Sequence, residues 1–229
     1  MCPGGQIVPA STDDKYVCVN GMSFSKRDSI FANSALVVTV DPDDEILEPY
    51  QQEHGVLAGI AFQRDMERRA AILGGGNLVV PVQSVTDFVN KKTSSYTSSP
   101  PSSYKLGVRA GVPCHEIYPE SLVDALSDAV TNQFDKAMPG FLAQEGFLHS
   151  VETRTSSPVR ICRSDTTMQA IGLERLYPTG EGAGFAGGIV SAAVDGLVVA
   201  EAVLDELIGN DVYLNSKRGK KEKSVGFDY

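Results

Sequence analysis

The sequence has few of the features that mark secreted or membrane-spanning proteins. Its four cysteines lie far apart and form no CxxC pair. This favours a reducing compartment inside the cell, the cytoplasm or an organelle, over a disulfide framework. The first residues contain neither a basic segment nor an apolar one, so no secretory signal is expected. The longest apolar stretch, which follows Gly188, is interrupted by Asp195 and Glu201, and this predicts a buried helix instead of a membrane span.

The sequence also lacks an excess of positive charge and a recognisable set of metal ligands. It has 20 Lys and Arg against 29 Asp and Glu, a formal net charge of -9. This argues against a general nucleic-acid binder, because phosphate contacts need a basic surface. The three histidines have no metal-ligand spacing, and Cys114, His115 and Glu116 are too close in the chain to chelate one ion, so no metal is expected. The content of 42% hydrophobic and 21% charged residues is ordinary for a globular protein.

Strand patterns occur in both halves of the sequence. Residues 35–40 form the clearest predicted strand, a β-branched run that Asp41-Pro42 stops. The Ser- and Pro-rich residues 93–104 are predicted to be a flexible connector, and extended patterns return after residue 146. The other predicted strands are residues 6–8, 15–19, 148–153, 159–162 and 176–177.

Helical periodicity is clearest over residues 56–73, which three glycines follow. Phe62 and Met66 lie on the predicted buried face of this helix, and Glu67 lies on the charged face opposite. The strands and helices together predict a mixed α/β fold. The other predicted helices are residues 82–89, residues 119–138 and the long apolar stretch from residue 189 to about residue 208.

Five glycines within nine residues precede that long helix: Gly180, Gly182, Gly184, Gly187 and Gly188. Between an extended segment and a helix, such a run lets the backbone approach a ligand and presents the N–H groups of a helix start. Three of the glycines have the G-x-G-x-x-G spacing of a dinucleotide site, but the second strand and acidic residue of that site do not follow. The run predicts cofactor contact. The alternative is that the glycines only allow a strand and a helix to pack closely.

The residues around this run resemble a known family. Residues 176–196, Leu-Tyr-Pro-Thr-Gly-Glu-Gly-Ala-Gly-Phe-Ala-Gly-Gly-Ile-Val-Ser-Ala-Ala-Val-Asp-Gly, are similar to the C-terminal motif of a family of FAD-dependent dehydrogenases. The resemblance extends from residue 1 to about residue 208. Members of this family open with an N-terminal FAD-binding βαβ unit before a Cys-Pro-Gly-Gly motif, and we expect this chain to match only the C-terminal part. The other similar stretches, in the same order, are residues 1–5, 19–23, 32–36 and 152–160.

The resemblance implies FAD as the cofactor and hydride transfer between the flavin and an unidentified small-molecule substrate. It implies a cap or substrate domain over residues 1–145, the closing strand–helix unit of a Rossmann-like FAD domain over residues 146–210, and a polar, disordered tail over residues 211–229. An N-terminal FAD-binding segment or chain is the implied partner. The residues that the resemblance assigns to cofactor binding are Gly180, Glu181, Gly182, Ala183, Gly184, Gly187, Gly188, Ile189, Ser156, Ser157 and Pro158.

Three side chains have alternative roles. Glu181 is expected to hydrogen-bond a cofactor hydroxyl, and the alternative is a carboxylate that caps its own helix. Arg160 offers a planar fork to an acidic substrate or another anion, and the alternative is a solvated surface arginine. Cys2 is a candidate catalytic thiol near the flavin, and the alternative is a buried packing residue.

Two other functions stay open at this point. The chain is then either a non-catalytic fragment, truncated or split, that needs a partner with the N-terminal FAD-binding unit, or a stand-alone phosphate- or nucleotide-binding module. The module would need a self-sufficient sheet around Leu176. The basic residues 217–223 resemble a localisation signal, and the alternative is a solvated terminal tail.

Overall fold

The computed structural model describes residues 4–96, 99–143 and 145–208. The chain divides into two compact units, residues 1–155 (unit 1) and residues 156–229 (unit 2). The fold is mixed α/β, as predicted. Among the described residues, no helix is long and apolar enough to cross a membrane. Cys2 and the predicted tail, residues 211–229, lie outside the described residues.

Unit 1 contains two small β-sheets. In the first, two antiparallel strands pair Gly5 with Ser23 and Pro9 with Val19. In the second, the central strand β3 is parallel to β4 and antiparallel to β5. All five residues of β3 are buried, so this strand lies in the core of the unit. The strands are β1 (Gly5–Pro9), β2 (Val19–Ser23), β3 (Val80–Ser84), β4 (Val108–Ala110) and β5 (Phe147–His149).

The helices are α1 (Glu48–His54), α2 (Ala58–Gly74), α3 (Val85–Val89), α4 (Glu120–Asp128), α5 (Asp135–Ala137) and α6 (Ile189–Ile208). A π-helical segment, Ala129–Phe134, joins the fourth and fifth helices. Helices α2 and α3 of unit 1 pack against β3, α1 packs on α2 and α4 packs on α3, and unit 2 contributes one long helix.

Helix α2 confirms the clearest helical pattern of the sequence. The helix ends at Gly74. The next residue, Gly75, adopts the left-handed conformation, with φ at +92°, and its N–H donates to the carbonyls of Ala71 and Ile72. Glycine takes this conformation without the steric cost of a side chain. Phe62 and Met66 lie in the core of unit 1, as predicted.

Several predicted elements differ from the structure. Residues 35–40 form no strand; Val37 is 60% exposed, and the run has no ladder partner within the described residues. Residues 82–84 belong to β3 instead of a helix, and α3 begins only at Val85, where the Ser84 hydroxyl accepts the N–H of Asp87 at 3.1 Å. Residues 159–162 and 176–177 of unit 2 also lie outside any strand. A strand propensity needs a pairing partner, and in these segments the described residues supply none.

The described end of the predicted connector is tied to unit 1. Ser102 Oγ lies 2.7 Å from His149 Nε2, and Ser103 Oγ accepts the N–H of Ile7 at 2.9 Å. Tyr104 is buried, and its hydroxyl donates to the Leu78 carbonyl at 2.8 Å. These contacts fix residues 102–104 in the structure.

The prediction that Glu67 faces solvent is wrong. Its side chain is only 2% exposed, and it is held by the guanidinium of Arg154, with Nε to Oε1 at 2.9 Å and Nη2 to Oε2 at 2.8 Å. Thr153 Oγ1 donates to the same Oε1 at 2.6 Å. Helical periodicity assigns Glu67 to the charged face, but a partner 87 residues away holds the carboxylate in a buried position. This pair joins α2 to the segment that follows β5.

We expect Arg154→Ala to lower the free energy of unfolding of unit 1 by about 3 kcal/mol, because it leaves a buried carboxylate without its cation. Arg68→Ala is the matched control: Arg68 pairs with Asp65 at 2.7 Å, but the Asp65 side chain is 17% exposed, against 2% for Glu67, and keeps Arg69 as a second cation, so the expected loss is below about 1 kcal/mol. Urea unfolding of both variants measures the difference. Equal losses would show that the Glu67 pair contributes no more than a surface pair.

Candidate functional site

The glycine run of unit 2 forms a closed turn immediately before α6. The Phe185 N–H donates to the Gly180 carbonyl at 3.0 Å, and the Gly184 N–H donates to the Glu181 carbonyl at 2.9 Å. Gly180 and Gly184 have φ values of +73° and +83°, in the region that side-chain-bearing residues rarely adopt. These two glycines are therefore required by the shape of the turn itself.

The loop of residues 156–160 lies against this turn. The Ile161 N–H donates to the Ala183 carbonyl at 3.1 Å, and the Ser157 hydroxyl lies 2.8 Å from the Val159 carbonyl and 3.3 Å from that of Gly182. A Cβ on Gly184 would lie only 2.5 Å from the Val159 carbonyl oxygen. The structure thus brings together, within unit 2, the two segments that the resemblance assigns to the cofactor.

A buried ion pair between Arg163 and Asp195 anchors the turn to α6. Arg163 Nη2 lies 2.5 Å from Asp195 Oδ1 and Nη1 lies 3.0 Å from Oδ2, with the two side chains only 8% and 13% exposed. Asp195 Oδ2 also accepts the N–H of Gly180 at 2.8 Å, and Arg163 Nη1 donates to the Pro178 carbonyl at 2.8 Å. The Arg163 guanidinium holds the pKa of the Asp195 carboxyl below its usual value.

Sequence reasoning missed this pair as part of the site. In the sequence, Asp195 stands out only as a charge that interrupts an apolar helix, and that interruption is the available signal. A carboxylate within an apolar helix implies a partner, since burying an unpaired charge is costly. Arg163 is 32 residues away along the chain, so the spacing alone does not identify it.

The ring of Phe185 contacts two guanidinium groups. The Arg163 Cζ lies 3.5 Å and the Arg160 Cζ 4.4 Å from its centroid. Such cation–π contacts order the long arginine side chains at the base of the turn.

The other three glycines of the run are not required by the shape of the turn. A Cβ on Gly182 or on Gly187 would meet nothing within 4 Å, and neither backbone lies in the left-handed region. On Gly188 a Cβ would meet only the Ser191 hydroxyl, at 3.6 Å. The backbone at these positions is open to a group from outside the described residues, as a closely approaching cofactor requires.

The start of α6 adjoins this open backbone. The Gly188 N–H donates to Ser191 Oγ at 3.1 Å, and Ile189, the first helical residue, is 92% exposed. The N–H groups of a first turn have no carbonyl partner inside their helix. Glu181 is exposed and makes no hydrogen bond to this helix within the described residues, which leaves the cap of α6 to Ser191.

Helix α6 carries an apolar stripe that the described residues leave exposed. The stripe consists of residues at helical spacing and includes Leu197, which is 68% exposed. The sequence predicts a buried helix here, and the structure contradicts this: among the described α6 side chains only Val199 is buried. The helix and its apolar pattern are as predicted, but no described residues cover the stripe. The stripe residues are Val190, Val194, Leu197, Leu204 and Ile208.

The other residues that the sequence assigns to the site differ in their exposure. Ser156, Pro158 and Arg160 are exposed, and Ala183 is buried beneath the turn. Among the described residues, no three His, Cys, Asp or Glu side chains are grouped closely enough to hold a metal ion.

Comparison with known proteins identifies a family. Residues 1–155 match the family described as FAD-dependent protein, C-terminal domain-like. The match covers unit 1 and ends at the boundary with unit 2.

A longer relative extends the similarity through the glycine turn. An uncharacterized protein of Clostridium beijerinckii is 44% identical over 206 residues, which are 90% of this chain and 37% of the relative. The chain thus spans little more than a third of the length of this curated relative.

Acid is expected to weaken the anchor of the turn. Because the folded-state pKa of Asp195 is lowered, the carboxylate stabilises unit 2 at neutral pH, and this contribution is lost as the pH falls through the folded-state value, below about pH 4. We expect Asp195→Asn to be less stable than the parent at neutral pH and to lose less stability on acidification. Asp165→Asn, which removes an exposed carboxylate of the same unit, is the control. Denaturant unfolding at several pH values measures both, and parallel pH profiles for the parent and Asp195→Asn would contradict the assignment.

Proposed function

The chain belongs to the family of FAD-dependent protein C-terminal domain-like proteins, and from this membership we propose that it is the C-terminal portion of an FAD-dependent oxidoreductase. In this function it helps bind the flavin and shapes the pocket of a small-molecule substrate. FAD, when bound, supplies hydride transfer. Unit 1 then corresponds to the cap or substrate domain, which the sequence predicts over residues 1–145.

The open backbone of the glycine run is the observation that carries this proposal. Gly182 and Gly187 are needed neither for a positive φ nor for close internal packing. A flat cofactor that lies against the backbone explains why these positions carry no side chain. The loop of residues 156–158 meets the same turn and adds Ser156, Ser157 and Pro158 to the proposed cofactor surface.

The start of α6 gives the proposed surface its electrostatic character. Helix N-termini carry a partial positive charge, so Gly188 and Ile189 would stabilise negative charge on a reduced flavin. Glu181 is exposed on the turn and is proposed to accept a hydrogen bond from a cofactor hydroxyl. Cys2 keeps its proposed place near the flavin as a candidate thiol.

The apolar stripe of α6 favours the interpretation that the chain needs a partner. The stripe is exposed along a 20-residue helix and is interrupted on the same face only by Glu201, and exposed apolar surface of this kind marks an interaction site. The longer relative has ample additional chain to cover it. We propose that an FAD-binding segment or chain provides this cover, and that unpartnered residues 1–229 are not a complete enzyme.

A stand-alone nucleotide-binding module is less well supported. It would require a sheet around Leu176, and the described residues of unit 2 show only one isolated β-bridge, between Arg163 and Ala170. Without a sheet the glycine turn has no independent Rossmann framework.

Flavin binding by residues 1–229 tests the proposal. After incubation with FAD and gel filtration, the visible absorption spectrum gives the flavin content of the chain. About one flavin per chain would support independent binding. A folded but colourless chain would support the partner-dependent form, to be tested by adding the N-terminal portion of the clostridial relative.

In whichever form retains flavin, we expect Gly182→Val and Gly187→Val to weaken flavin affinity about tenfold or more, because their side chains fill the space that the cofactor occupies. The midpoint of thermal unfolding without flavin should stay nearly unchanged, since both positions are open. Gly196→Val is the matched control, because its Cβ also meets nothing within 4 Å but it lies inside α6. Equal flavin affinity in all three variants would refute the assignment of the turn to the cofactor.

A further inference from the structure

Three arginines lie between residues 154 and 163, and two of them are neutralised by buried carboxylates. Arg154 pairs with Glu67, and Arg163 pairs with Asp195. Arg160 makes no ion pair and no hydrogen bond within the described part of the chain. The nearby Asp195 is already engaged, since its two oxygens accept from Arg163 and from the N–H of Gly180. Arg160 therefore lies within electrostatic reach of Asp195 but has no carboxylate paired directly with its guanidinium among the described residues.

Arg160 is nevertheless held in place. On the backbone side, the Arg160 Cα would lie 2.8 Å from a Cβ on Gly184, so only glycine in the turn allows the loop to approach this closely. The next residue, Ile161, donates its N–H to the Ala183 carbonyl at 3.1 Å. On the side-chain side, the guanidinium stacks on Phe185 at 4.4 Å. A guanidinium that is ordered in this way loses less conformational entropy when it binds a ligand.

We infer that Arg160 binds the carboxylate of an organic-acid substrate beside the glycine turn. The inference rests on the proposed function, which assigns the turn to the flavin and leaves the substrate class open. A guanidinium fork matches a carboxylate with two parallel hydrogen bonds. An acid held at this position lies next to the proposed cofactor surface.

The charges around the turn favour a monoanion over a phosphate dianion. Arg160 is one cation, Arg163 and Asp195 neutralise each other, and the exposed carboxylate of Glu181 belongs to the same turn. The start of α6 adds only a partial positive charge, so a dianion would meet the carboxylate of Glu181 with one full cation to balance it. A carboxylate needs only the one fork.

Anion titrations of residues 1–229 test this inference without flavin. The probes are benzoate and inorganic phosphate at equal ionic strength, and the readout is the NMR signal of each arginine Nε–H. We expect benzoate to shift the Arg160 signal saturably and more strongly than phosphate does. Arg160→Gln should weaken benzoate binding about tenfold, and Arg160→Lys should recover only part of it, because lysine keeps the charge but lacks the fork. Arg175→Gln, which removes another exposed arginine of unit 2, should bind benzoate as the parent does.

Each other outcome overturns the inference. Benzoate affinity that is unchanged in Arg160→Gln removes Arg160 from the site, and an equal loss in Arg175→Gln shows only a diffuse ionic effect. Tighter binding of phosphate than of benzoate assigns the group to a phosphate ligand. Loss of flavin affinity in Arg160→Gln with benzoate binding intact assigns Arg160 to the cofactor. Because these titrations need no flavin, a colourless chain refutes independent flavin binding and leaves the carboxylate result to be judged by itself.

Discussion

The Arg163–Asp195 ion pair is the interaction on which the arrangement of the glycine turn, the loop of residues 156–160 and α6 depends. Asp195 belongs to α6, Arg163 follows the loop of residues 156–160, and the N–H of Gly180 is the third group at the same carboxylate. One side chain therefore joins helix, loop and glycine turn. Compared with apolar residues of similar volume, a buried ion pair adds little net stability, since desolvation opposes the attraction, although removal of one partner alone is destabilising. The pair instead fixes positions: the Arg163 guanidinium and the Gly180 N–H both donate to the Asp195 carboxylate and hold it in one place.

A similar ion pair occurs in unit 1, where Arg154 and Thr153 donate hydrogen bonds to the buried carboxylate of Glu67. In unit 1, Arg154 pairs with Glu67 of α2, and in unit 2, Arg163 pairs with Asp195 of α6. Both carboxylates lie on helices that consist largely of apolar residues on that side. The loop of residues 156–158 follows one of these anchors in sequence and precedes the other. These residues belong to the proposed cofactor surface, and the two anchors fix the chain on either side of them.

Local patterns predicted some of these features and could not predict others. The end of α2 at Gly75 and the turn at Gly180 and Gly184 follow from the conformational freedom of single residues, which a sequence displays directly. The buried position of Glu67 and the pairing of Asp195 depend on partners far along the chain, so helical periodicity misassigns the first and does not find the second. Residues 35–40 and 82–84 show the same limit for strands: β-branched composition does not reveal whether a neighbouring strand exists.

The apolar stripe of α6 also bears on how the protein is made. A ridge containing Leu197 and Leu204 resembles the exposed segments that chaperones bind and that promote aggregation in incompletely assembled proteins. Under the proposed partner-dependent function, a copy of this chain whose α6 is uncovered would carry a signal for retention or degradation, and a covered copy would not. The exposed stripe of α6 would then make assembly a condition for persistence of the chain and would link its abundance to that of the proposed FAD-binding segment.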